Sequence, residues 1–241
     1  MRPSLVPSML KTLSYNMSHG TAEANLYEAA AVYDPHHPTA DGLPLEKQTL
    51  CLGSYGEHAD FYTVRGALEA VLCSVGIPCE TVAGGDAYYH PGRCARLVNG
   101  ETVYAQVGEA HPSVREDFGL PKRAVLAELD LQALLANAVP MGELSPLPRF
   151  PSVARDLALV MDESVAVGPL MAAMRRAGGK MLESIQMFDV YRGAQVGESK
   201  KSVAFSLVFR AEDRTLTEAE VARAMEKVQR SCERLYGAVI R

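Results

Sequence analysis

The sequence predicts an α+β chain in two domains, the first built on an antiparallel sheet with flanking helices and the second running strand, helix, strand, strand, helix, short strand. Three observations carry this expectation. The stretch VPMGELSPLPRFPS, Val139 to Ser152, sets four prolines and a glycine where no periodic pattern survives, and it places a domain boundary near Pro148. Ahead of that seam, helical stripes alternate with strand-like runs and an Asn-Gly hairpin signal. Behind it, two helical stripes interleave with four strand-like runs.

Taken in order, Ser4 to Ser18 carries Leu5, Met9, Leu13 and Met17 at helical spacing. Asn25 to Asp34 reads as a strand that leads into DPHHP, an exposed loop by composition. The chain starts abruptly, as if cut from something longer. Asp60 precedes FYTVRGALEAVLCSVG, in which Phe61, Val64, Leu68, Val71, Leu72 and Val75 form one stripe, with Gly76 and Pro78 as its stop. RCARLVNGETVYAQVG reads as two strands joined by Asn99-Gly100 in a type I′ turn. A further strand follows at Ala124 to Leu129.

After the seam, Arg155 to Met161 is the first strand, and Pro169 to Ala177 is a helix with Pro169 near its start and Gly178-Gly179 beyond its end. Glu183 to Tyr191 and Lys201 to Arg210 are the two central strands of this order. Thr217 and Glu220 form a capping box ahead of Val221, Met225, Val228, Cys232 and Leu235, and Gly237 ends that helix. Such a βαββαβ order is the ferredoxin-like split βαβ plan, in which both helices cover one face of the sheet. The other face is left open.

Composition narrows the function classes. The chain has 241 residues, 48% hydrophobic and 22% charged, which suits a folded protein of one large or two modest domains. A net charge of -5 and a pI near 5.7 argue against a bulk DNA binder, so contact with nucleic acid requires a local basic patch. Five cysteines with no CxxC pair write neither a disulfide framework nor a zinc ribbon, and imply a reducing, cytosolic compartment. No apolar run approaches the roughly 20 residues of a membrane span, and the N-terminus is not a signal peptide.

Strand alternation gives the open face a composition. In SKKSVAFSLVFR, Val203, Phe205, Leu207 and Phe209 share the core side, while Ser202, Ala204, Ser206 and Val208 share the other. In FDVYRG, placing Phe188 and Val190 on the core side turns Asp189 and Tyr191 outward beside Met187. In the first strand, Leu157 and Leu159 leave Asp156 and Ala158 outward. A stacking aromatic (Tyr191), a carboxylate acceptor (Asp189) and small neighbours (Ala158, Ser202) are what recognition of a single-stranded RNA base requires. Arg192, Lys200, Lys201 and Arg210 are candidate phosphate contacts at the rim. The same face would also serve as ordinary packing against another domain, with Tyr191 half-buried in it.

The remaining polar motifs offer no self-sufficient active site. His36 and His37 sit between prolines as a solvated pair, and His90 and His111 each precede proline in turns. There is no GxxxxGK[ST] or GxGxxG phosphate loop, and neither His90 nor His111 lies beside a Cys or Ser at a plausible triad spacing.

Colinear stretches carry a more specific likeness: MRPSLVPSMLKTLSYN, DFYTVRGALEAVL, YYHPGRCARL, VGEAHPSV, FPSVARDLALV, FDVYRG, GESKKSVAFSLVFR and RTLTEAEV. Over essentially its whole length the chain resembles the C-terminal part of the β subunit of bacterial phenylalanine-tRNA ligase. The family's β chain is much longer, so the resemblance implies a piece lacking the upstream tRNA-binding, editing and winged-helix-like parts. It implies that residues 1–147 are a class II synthetase-like, catalytic-like domain without chemistry of its own, and that residues 148–241 are a ferredoxin-like anticodon-binding domain. After VGEAHPSV the chain reads REDFGLPKRAVLAELDLQALL, with no GxGxxR to hold ATP, in keeping with that loss.

Carried over residue by residue, the resemblance makes Tyr191 the platform on which the first anticodon base, a guanine, stacks, and Asp189 the acceptor that reads its edge. Ala158 and Ser202 line the same face. It further implies a cytoplasmic ligase with two α and two β chains, in which ATP and Mg2+ are used by the whole enzyme and neither cofactor nor metal is bound by this piece. The partners implied are phenylalanine tRNA and the α subunit, with no membrane and no DNA. Two other classes remain at the level of residues: a free-standing ferredoxin-like regulatory, small-ligand or RNA-binding module, and an independently active enzyme of acyl-phosphate or adenylate chemistry.

Overall fold

The computed structural model describes residues 1–139 and 147–241, so residues 140–146, the middle of the proline-rich seam, lie outside the described residues. The chain forms two compact units, one on each side of them.

The first unit contains α1 (Val6–Ser18), β1 (Ala24–Pro38), β2 (Pro44–Tyr55), α2 (Phe61–Ser74), β3 (Glu80–Ala83), β4 (Tyr89–Asn99), β5 (Thr102–Ala110), α3 (Pro112–Asp117), β6 (Val125–Asp130) and α4 (Leu131–Asn137). Its strands make one antiparallel sheet in the order β1-β2-β6-β5-β4-β3. Helices cover both faces. On one, Leu10 and Leu13 of α1 pack with Cys51, Tyr55 and Leu126. Gly53 lies under that helix because a Cβ there would stand 2.5 Å from Met9 Cγ. On the other, Val64, Leu68 and Leu72 of α2 pack with Val125, Ala127 and Leu129. Asp60 caps α2 by accepting a hydrogen bond from the Thr63 N–H at 2.7 Å.

Two features of this unit differ from the sequence expectation. DPHHP is not a free loop but the end of β1, which pairs with β2, a strand the periodicity does not announce. Only Thr49 to Ser54 of β2 also pairs with β6, so the Pro44 end has a neighbour on one side alone and carries no apolar period. In the β4–β5 hairpin, Asn99 pairs with Thr102, so the turn residues are Gly100 and Glu101. Gly100 alone has positive φ there, +58°, which makes the turn type II′ rather than I′.

The second unit contains β7 (Val153–Asp162), α5 (Val167–Gly178), β8 (Leu182–Tyr191), β9 (Lys200–Phe209), α6 (Glu218–Tyr236) and β10 (Val239–Ile240). The sheet order is β10-β7-β9-β8, all antiparallel, so β7 and β9 are central and β8 is an edge strand. Leu170 and Met174 of α5 and Val221, Ala224, Val228 and Cys232 of α6 bury Leu157, Leu159, Val203, Phe205, Leu207 and Phe209. Both helices therefore cover one face.

The α6 start is the expected capping box. The Thr217 N–H, first among several donors, together with Arg214 and the Thr217 hydroxyl, holds the Glu220 carboxyl at about 2. Gly237 closes the helix with φ +60°. Leu235, expected on the buried stripe, is 50% exposed, and Ala224 fills the inner face instead.

Candidate nucleic-acid interface

Strand register assembles the open face of the second sheet into rows. Ala158, Ala204 and Asp189 lie directly opposite one another across β7, β9 and β8, and Val160, Ser202 and Tyr191 form the adjacent row. Directly paired residues share a face, so Ala158, Asp189, Tyr191 and Ser202 all point away from the helices. Asp189 is exposed, Ala158 and Tyr191 are half-buried, and Ser202 is only 4% exposed.

The edge strand reaches this arrangement through a β-bulge. Ile185 and Met187 pair with the core-side residues Leu207 and Phe205, and the register then shifts so that Asp189 pairs with Ala204 and Tyr191 with Ser202. Without the extra residue, unbroken alternation from Ile185 would turn Asp189 and Tyr191 toward the helices. Phe188 is that extra residue. It is 57% exposed, which corrects its expected place in the core, and Met187, expected outward, is in register with the core side.

Tyr191 is held in a defined pose. Its ring lies against Gly193, where an added Cβ would stand 2.5 Å from Tyr191 Oη. The Arg241 guanidinium carbon sits 5.2 Å from the ring centroid. Arg241 donates its backbone N–H to Ala158 O at 3.0 Å and its Nη2 to Gln195 Oε1 at 3.1 Å. Sequence reasoning missed Arg241. It stands two positions after Val239, which pairs with the open-face residue Val160, so period-two alternation places it on the same face, but that pairing joins strands far apart in the chain.

The four basic candidates divide. Lys200 is exposed and opposite Asp162 at the Tyr191 end of the sheet. Arg192 is at the same end, 61% exposed, and donates its Nε to Glu163 Oε1 at 3.0 Å. Lys201 falls on the core side: it is 7% exposed and donates Nζ to Glu163 O at 2.8 Å, its stem buried and its head at the edge. Arg210 follows the far end of β9, about 26 Å along the strand from Ser202, and ties down Glu183 Oε2 at 2.9 Å and Phe150 O at 2.6 Å. Lys200 and Arg192 are thus brought near Tyr191, while Lys201 is turned inward and Arg210 is remote.

In the first unit the polar candidates serve structure. His90 Nδ1 accepts from the Gly92 N–H, and His111 Nδ1 accepts from the Ser113 N–H at the start of α3. Glu128 on β6 accepts from Ser4 Oγ, the Leu5 N–H and Tyr88 Oη at 2.8–3.0 Å. Among the described residues no three His, Cys, Asp or Glu side chains are grouped to hold a metal, and no helix is long and apolar enough to cross a membrane.

Comparison with known proteins matches these two units separately. Residues 1–131 match the family model of the phenylalanyl tRNA synthetase beta chain CLM domain, and residues 148–241 match that of the ferredoxin-fold anticodon binding domain. The chain is 38% identical to a phenylalanine-tRNA ligase beta subunit of Clostridium tetani, over 100% of this chain and 30% of that protein. Corresponding beta subunits of Moorella thermoacetica and Bacillus subtilis are 39% and 35% identical, each over 100% of this chain and 31% of the relative. The chain therefore spans about a third of the length of these relatives. Among solved structures, the pyrrolysyl-tRNA synthetase of Desulfitobacterium hafniense is a distant likeness, with TM-score 0.47 and 20% identity over 56% of this chain and 48% of that one.

Proposed function

Because the chain belongs to the phenylalanyl tRNA synthetase beta chain family, we propose that its second unit binds the anticodon of phenylalanine tRNA and that its first unit scaffolds the catalytic α subunit of the ligase. The observation that carries the anticodon reading is the pair of rows on the open face. Tyr191 offers a ring at one end of a floor of Ala158, Ala204 and Ser202, and Asp189 stands one row away on the same edge strand. A base stacked on the ring would present its amino and imino hydrogens to the carboxylate. Guanine carries both on one edge, so it is the base that a lone acceptor selects.

The phosphate role narrows to Lys200 and Arg192, which share the Tyr191 end of the face. For the first unit, the scaffolding role is supported by large apolar side chains in solvent: Tyr15, Tyr27, Tyr62 and Leu135 are each more than 60% exposed. The complete assembly is an α2β2 enzyme of the cytoplasm that as a whole uses ATP and Mg2+, with ATP bound on its α chain.

Asp189→Asn tests the reading directly. It is expected to reduce the preference for guanine at the first anticodon position by about 1–3 kcal/mol while lowering overall affinity less. Affinities for anticodon stem-loops that differ only at that base provide the measurement. Equal losses on every variant would remove Asp189 from the reader's role.

A further inference from the structure

We infer that Arg241 is the second jaw of a base clamp whose first jaw is Tyr191, so that a base bound on the open face is held between the guanidinium and the phenol ring. The inference rests on the anticodon reading of this face. In the free chain the guanidinium already lies over the ring, 5.2 Å from its centroid. That spacing suits a cation on an aromatic face and is too small for a base between them. Two layers of van der Waals contact require about 7–8 Å, so the guanidinium withdraws by about 2 Å when a base enters.

The anchoring makes that motion local. The Arg241 backbone is fixed by its N–H on Ala158 O, next to the β10–β7 pairing, so only the side chain moves. Its Nη2 rests on Gln195 Oε1, an exposed residue, and that contact exchanges readily with water. Backbone placement also puts Arg241, Ala158, Ala204 and Asp189 in one line across the sheet, and the Arg241 side chain crosses the face from that line to Tyr191, one row from Asp189 on the same edge strand. A planar guanidinium stacks on any base, because every base has a π-face. Arg241 therefore contributes affinity, and Asp189 contributes selection.

The test is binding of an anticodon stem-loop of phenylalanine tRNA to the full chain, comparing Arg241→Ala, Arg241→Lys and Tyr191→Ala with the unsubstituted protein. Arg241→Ala is expected to weaken binding about five- to tenfold, with an unchanged slope of log affinity against log salt, and Arg241→Lys to restore less than half of the loss. Unchanged or tighter binding by Arg241→Ala would show that the guanidinium only plugs the ring, and would overturn the clamp. A salt slope reduced by about one with full rescue by Lys would make Arg241 a phosphate contact, and would overturn it too. Should Tyr191→Ala weaken binding while Arg241→Ala does not, the clamp alone fails. If neither changes affinity, the anticodon reading fails with it.

Discussion

Phe205→Ala is expected to cost the second unit about 3–5 kcal/mol and to lower the Tm of its transition by at least about 12 °C. Phe205 is fully buried on β9, at the centre of the cluster that Leu170, Met174, Val221 and Val228 close from the helix side. Truncation leaves a cavity that two packed helices and a sheet cannot collapse to fill. The cost is a large fraction of the roughly 5–15 kcal/mol that holds a domain together. Differential scanning calorimetry of the full chain checks it, and a loss below 1 kcal/mol would mean that the core face has been assigned to the wrong side of β9.

Tyr191→Ala, on the opposite face of the same sheet, is expected to leave that transition nearly in place and instead weaken binding of the anticodon stem-loop by about 1–3 kcal/mol, or about five- to 150-fold. The ring is half-buried, and its contacts with Gly193 and the Arg241 side chain lie outside the core. Removing it costs little packing but takes away the one aromatic surface among Ala158, Ala204 and Ser202. Fluorescence anisotropy with labelled stem-loop measures the change. The two substitutions together separate what folds the unit from what the open face binds.

Much of this was legible in the residues, for identifiable reasons. Capping chemistry is local, so Asp60 and Thr217 with Glu220 announce their helices. Period-two alternation is local as well, and it places Ala158 and Ser202 on the open face. The bulge at Phe188 was not legible, because an extra residue is defined only by the partner strand it fails to pair with. Asp189 and Tyr191 face outward as alternation from Val190 predicts, because Val190 lies beyond the shift.

Other misses have physical causes of their own. Lys201 reads as a rim cation by residue type, yet it shares parity with Val203 and Phe205, and its long stem lets a core-side position deliver an ammonium to Glu163 O. The outer part of β2 lacks an apolar face because only β1 adjoins it. Arg241 depends on contacts between β10 and β7, far apart in the chain, and on a side chain that crosses the face to Tyr191.

The most direct measurement is an amide NMR titration of the full chain with the phenylalanine tRNA anticodon stem-loop. Shifts are expected to concentrate at Ala158, Asp189, Tyr191, Ser202, Ala204 and Arg241, with α5 and α6 nearly silent. Shifts centred on the helix side of the second unit, or on the first unit with the open face unmoved, would contradict the assignment of that face to the anticodon.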